Sequence, residues 1–111
     1  MFSQISPVDF FQPLLDRENS RVQRNNERAT KASLPATLTL PQWLAIIHHY
    51  RWSCAYCRGP YESIDHIIPI ALGGGTTAHN CVPACHVCNG KRQKFVNQTL
   101  NARATLAQVV A

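Results

Sequence analysis

The sequence predicts a single small α+β domain, and three observations carry that reading. Its 111 residues are 45% hydrophobic, enough for one core and not for two. Two C-x-x-C pairs, Cys54/Cys57 and Cys85/Cys88, frame a β-branched stretch and a short return segment. On either side the apolar spacing is helical. The expected layout is a basic helical arm over 1–33, a core domain over 34–97, and a short helix or tail over 98–111.

Taken in order, residues 1–15 offer Phe2, Phe10, Phe11, Leu14 and Leu15 as the face of a short docking helix. Residues 16–33 are polar, with only Val22, Ala29 and Ala32 apolar. Arg17, Arg21, Arg24, Arg28 and Lys31 recur there at helical steps, which places all five on one face. That stripe fits a phosphate backbone or a solvated surface equally well. Ser33 to Ala36, with Pro35, reads as a break. Thr39 is an N-cap and Pro41 an early helical residue, opening a helix through about Tyr50. Trp43, Leu44, Ile46, Ile47 and Tyr50 form its apolar face, and His48 and His49 are read as capping or surface residues. Glu62 to Ile70 reads as a strand running into Pro69, Gly73 to Thr77 as a flexible loop, and Asn80 to Pro83 as a second strand. The second C-x-x-C then enters a helix from Cys88 to about Val96, bearing Lys91, Arg92 and Lys94.

Composition excludes several classes. The longest apolar run, Ile67 to Leu72, is far short of the roughly 20 residues that cross a bilayer. The first residues lack the charged-then-apolar layout of a secretory signal, so the expected location is cytoplasmic and no membrane partner is expected. The net charge is +5, unevenly distributed: all six acids lie at or before Asp65, and residues 66–111 carry Lys91, Arg92, Lys94 and Arg103 with no carboxylate. An unopposed positive field of this kind suits a polyanion.

The five cysteines are odd in number and, in a reducing compartment, argue against a disulfide framework. Two C-x-x-C pairs are a zinc signature, because each tight turn aims two thiolates at one tetrahedral centre. Their separation of 27 residues exceeds the usual ribbon spacing of about 15–20, so something is inserted between the halves. A thioredoxin-type redox pair leaves the second C-x-x-C without a role. Cys81 is left over and reads as a buried apolar residue.

Between the knuckle halves lies the most specific text. The strand contains Asp65-His66, a glycine-rich loop follows, Asn80 opens the return strand, and Asn89 follows the last cysteine. The segments C-A-Y-C, I-D-H-I-I-P-I-A-L-G-G-G and H-N-C-V-P-A-C-H-V-C-N-G-K span residues 54–91, with a T-L-T-L-P-Q-W-L lead-in. This text resembles the HNH nuclease family of the zinc-bearing ββα-metal type, including bacterial and phage members. The resemblance implies a small ββα-metal core with a four-cysteine zinc knuckle (Cys54, Cys57, Cys85, Cys88) that cleaves DNA to 5′-phosphate and 3′-hydroxyl ends. It implies His66 as the general base, oriented by a ring hydrogen bond to backbone, and Asp65 and Asn89 as ligands of a catalytic Mg²⁺ or Mn²⁺. Asn80 would tie the loop behind His66 as structural support. An extended strand by itself would send Asp65 and His66 to opposite faces. Asn89 stands where many family members have His, making this an H-N-N variant with an oxygen-rich site that disfavours tight Zn²⁺ or Ni²⁺.

The expected function is therefore a metal-dependent DNA endonuclease or nickase. Lys91, Arg92 and Lys94, together with the Arg17–Lys31 stripe, would rest on phosphates. A homodimer is expected only if both strands are cut. The alternative is a zinc ribbon that binds nucleic acid without cutting. A zinc hydrolase is disfavoured because four cysteines close the metal's coordination sphere.

Overall fold

Residues 7–92 are described by the computed structural model of the protein, with side chains from residue 9. Helix α1 (Pro7–Lys31) is continuous over 25 residues, so the described part of the first N-terminal stretch and the polar stretch after it are one helix, and Phe2 lies outside the described residues. Its inward stripe is Glu18, Val22 and Ala29, at helical spacing and fully or nearly buried, while Phe10 and Phe11 remain exposed. The helix closes on a Schellman arrangement: Leu34 N donates to Ala29 O at 2.9 Å and Ser33 N to Thr30 O at 3.0 Å. Ser33 takes the left-handed position at φ 58° that glycine usually fills.

Helix α2 (Leu40–His49) starts where Thr39 and Gln42 form a capping box, each side chain bonded to the other's backbone amide. Trp43 and Ile47 bury completely. With Val22, Leu38, Ile64 and Cys81 they form the core cluster, against which Leu44, Ile46, Tyr61 and Ala78 pack. Cys81 is thus the apolar residue expected. His48 and His49 are exposed at the helix end. No helix among the described residues is long and apolar enough to cross a membrane.

The sheet has two antiparallel strands, β1 (Ser63–His66) and β2 (Cys81–Ala84), paired Ser63 with Ala84 through His66 with Cys81. β1 is shorter than the predicted Glu62–Ile70 strand. It stops at His66 because the Asn80 side chain captures the next stretch, accepting from Ile68 N at 2.8 Å and donating to Ile68 O at 2.9 Å. A 3₁₀ turn over Ile70–Leu72 follows, capped by Gly73 at φ 95°. The glycine loop is packed rather than free. A Cβ on Gly74 would meet Ile68 O at 1.7 Å, and the neighbouring Thr76 is fully buried. Thr76 also bridges to Ala36 in the segment linking α1 to α2. Helix α3 begins at residue 86, two residues earlier than predicted, and is described through residue 92.

One buried acid joins α1 to this core. Glu18 accepts from Trp43 Nε1 at 3.2 Å and from Tyr61 Oη at 2.5 Å, and ion-pairs with Arg17 at 3.3 Å and Arg21 at 3.5 Å. Arg21 also stacks over the Tyr61 ring. Glu18→Ala strips the acceptor from two buried or half-buried donors, so urea unfolding should show a loss of about 3 kcal/mol. A loss below about 0.5 kcal/mol would mean that the Glu18 bonds do not hold α1 to the core.

Candidate metal centre and adjoining cleft

The four paired cysteines converge. All four Sγ atoms lie within 4.8 Å of one another, and Cys57 Sγ and Cys85 Sγ are 3.7 Å apart. Tetrahedral zinc with sulfur at about 2.3 Å needs sulfur–sulfur edges of about 3.8 Å, so the group fits such an ion. The first turn is tight, with Arg58 N bonded to Cys54 O, Cys54 N to Gly59 O at 2.7 Å, and Gly59 N to Cys57 Sγ. Arg58 sits in the left-handed region at φ 65°. The second turn places Cys85 as the N-cap of α3, its sulfur accepting from Cys88 N at 3.4 Å.

The thiols show the strain of crowding. Burial pushes the Cys54 thiol up, but amide bonds from Cys57, Cys85 and Tyr56 outweigh it and bring the group down to about 6. Cys88 is driven up to about 12, first by sharing a hydrogen bond with Cys85, then by burial and the other sulfurs. Four sulfurs gathered this closely are the donor set that a divalent cation holds.

Beside this centre lies a cleft of about 360 Å³ whose lining includes Arg28, Asp65, His66, Asn89 and Arg92. The proposed base and both proposed metal ligands thus share one cavity. Strand alternation holds in their partners. Asp65 meets the knuckle and α3: Tyr56 Oη donates to its Oδ2 at 2.5 Å, and Arg92 Nε lies 2.8 Å from the same oxygen in a close ion pair. His66 meets the glycine loop. The cleft reaches both because β1 ends there and α3 crosses it, with Asn89 Nδ2 donating to Ser63 Oγ at 3.2 Å. Asn80 is buried behind the cleft, where its Nδ2 also donates to Gly75 O at 2.9 Å and its backbone O accepts from Ile67 N at 2.8 Å.

His66 is 6% exposed, and its Nε2 lies 2.8 Å from Thr76 Oγ1. Thr76 Oγ1 donates to the backbone oxygen of Asn25 in α1 at 2.9 Å. The ring therefore reaches backbone through a hydroxyl rather than directly, unlike the arrangement the resemblance implies. Burial, then the nearby Arg28 cation, lowers the His66 pKa to about 4, so the ring is neutral at pH 7. Burial and the bond to Asp65 push the Tyr56 phenol up, which keeps it a hydrogen-bond donor.

The basic residues separate in space. Arg17 and Arg21 are committed to Glu18, Arg24, Lys31 and Lys91 are exposed, and Arg28 lines the cleft. Arg92 turns inward: besides Asp65 it contacts the Tyr56 ring and donates to Ile67 O at 2.5 Å. Lys94 and the expected C-terminal helix lie outside the described residues. Sequence reasoning missed Tyr56, Thr76 and Glu18. Tyr56 had a signal in its place inside the C-A-Y-C turn, whereas Thr76 and Glu18 had none.

The model of one family, described as HNH endonuclease, matches residues 54–105, just under half of the chain. Neither the curated proteins nor the solved structures returned a match. The matched segment begins at the first knuckle cysteine and takes in Asp65, His66, Asn80 and Asn89. Residues 54–105, whose described part builds the four-cysteine centre and one wall of the cleft, match the HNH endonuclease family.

Proposed function

We propose that this chain is a metal-dependent endonuclease hydrolysing DNA phosphodiester bonds. The observation that carries the reading is the meeting of His66, Asp65 and Asn89 in one basic-rimmed cleft beside a four-cysteine centre. Zinc is the proposed occupant of that centre and serves the fold.

Hydrolysis needs a base for the attacking water and positive charge at the phosphate. His66 is neutral at pH 7 and takes the water proton as oxygen bonds to phosphorus. The phosphorus–O3′ bond breaks, leaving 5′-phosphate and, after protonation of the departing oxygen, 3′-hydroxyl. Asp65 and Asn89 offer hard oxygen donors that fit Mg²⁺ or Mn²⁺, an ion that supplies charge stabilisation at the phosphate and leaving oxygen. Arg28 at the cleft and Lys91 beyond it bind phosphate oxygens. Asn80 holds the loop behind His66 through its three side-chain bonds. Cuts on both strands would require two chains or two visits.

One observation favours the competing reading, a zinc module that binds nucleic acid without cutting. Arg92 already sits on the Asp65 oxygen, 2.8 Å away, where a cation would have to compete with it. A supercoiled plasmid assay decides. Purified protein with Mg²⁺ or Mn²⁺ should yield nicked circles, and leaving both ions out should stop the reaction while zinc content stays constant. Plasmid retention in a gel-shift assay without any nicking would establish the binding module instead. In either case binding should fall steeply between low and moderate salt, because the contacts are to phosphates. A salt-independent affinity would remove the phosphate-contact assignment.

A further inference from the structure

Helix α1 precedes the segment that the family model matches, yet it reaches the cleft by way of Thr76. Thr76 is fully buried and held by backbone: its N donates to Pro35 O at 2.8 Å, and its O accepts from Thr37 N at 2.9 Å and Leu38 N at 3.1 Å. Its hydroxyl lies between His66 Nε2 at 2.8 Å and Asn25 O at 2.9 Å. A hydroxyl has a single proton. The Asn25 oxygen is a carbonyl and can only accept, so that proton belongs on the α1 side. Turned the other way, the hydroxyl would leave two oxygens facing each other at 2.9 Å with no hydrogen between them. Toward His66 the Thr76 oxygen is therefore the acceptor, and the ring nitrogen facing it bears hydrogen.

We propose that Thr76, oriented by the Asn25 carbonyl of α1, is a positioning residue that holds His66 as the Nε2–H tautomer and leaves Nδ1 as its basic nitrogen. This inference rests on the reading of His66 as the general base. It makes α1 part of the nuclease machinery through a main-chain carbonyl, a contribution that no side-chain motif in the helix could announce. Because Asn25 O acts as backbone, substituting Asn25 itself does not test the relay. Substituting Thr76 does.

The first measurement is on the unaltered protein. Long-range proton–nitrogen NMR at pH 7, with His66 assigned against His66→Ala, should show a protonated Nε2 and an unprotonated Nδ1. A wild-type ring carrying its hydrogen on Nδ1 overturns the proposal regardless of how any variant folds. The second compares Thr76→Val, which keeps the shape and removes the hydroxyl, with Thr76→Ser, which keeps the hydroxyl. Thr76→Val should lower kcat roughly 10- to 100-fold at unchanged KM and mix the two tautomers. Thr76→Ser should retain both the rate and the Nε2–H form. Equal loss in both variants would assign Thr76 to packing alone, and a fully active Thr76→Val would end the proposal. If His66→Ala itself cleaves normally, the fault lies in the base assignment and not in the relay.

Discussion

His66→Ala is expected to reduce plasmid nicking by about 10²- to 10⁴-fold, the usual contribution of a positioned general base. No other neutral imidazole lines the cleft among the described residues, so no neighbouring ring can replace it. The side chain is buried, and its removal takes away the ring 2.8 Å from Thr76 Oγ1, leaving that hydroxyl only its bond to Asn25 O. Some loss of stability is therefore expected alongside the loss of rate, and His66→Gln serves as a less disruptive companion. Both variants should keep their zinc and their far-ultraviolet circular dichroism. DNA affinity should persist as well, because Arg28, Lys91 and the exposed part of the α1 stripe are untouched. Near-wild-type nicking by a folded His66→Ala protein would remove His66 from the chemistry and return the chain to the binding-module reading.

Loss of the four-cysteine centre should have the largest effect on the fold. Structural zinc contributes about 10–16 kcal/mol of apparent binding free energy in small domains, comparable to or above the whole stability of a typical domain. Here the centre joins the Cys54–Cys57 turn to the start of α3, the helix that carries Asn89 and Arg92 to the cleft. Cys54→Ser and Cys88→Ser should each give chains that bind zinc weakly, lose cooperative thermal unfolding and lose activity as a consequence. The intact protein should carry one zinc per chain and unfold on strong chelation. A cooperatively folded, zinc-free Cys54→Ser protein would contradict the metal-centre assignment, since an unrelieved cluster of thiols offers no comparable stabilisation.

The inward turn of Arg92 shows how a correct charge count can mislead about a single residue. The acid-free stretch after Asp65 suggests that every cation there is available to a polyanion. In the structure Asp65 itself, the last carboxylate in the chain, takes Arg92 at 2.8 Å, and the Tyr56 ring covers the guanidinium. Arg28 is the converse case. It comes from the far side of the sequence, yet it shares the cleft with His66.

What the sequence determined alone was local in origin. The C-x-x-C turns, the Thr39 cap, the buried face of α2, Cys81 in the core and the two-strand sheet all follow from spacings of a few residues. Such spacings are set by the helical and extended periods and by turn chemistry. The order of the motifs then named the family. Tertiary structure decided the pairings across long chain separations: Glu18 with Trp43 and Tyr61, Arg92 with Asp65, and Thr76 with Asn25, which stands 51 residues away. No periodicity encodes those contacts, because they arise only when α1 and α3 close onto opposite sides of the β1 end. That closure also turned a glycine-rich stretch that reads as flexible into the packed support of the His66 ring.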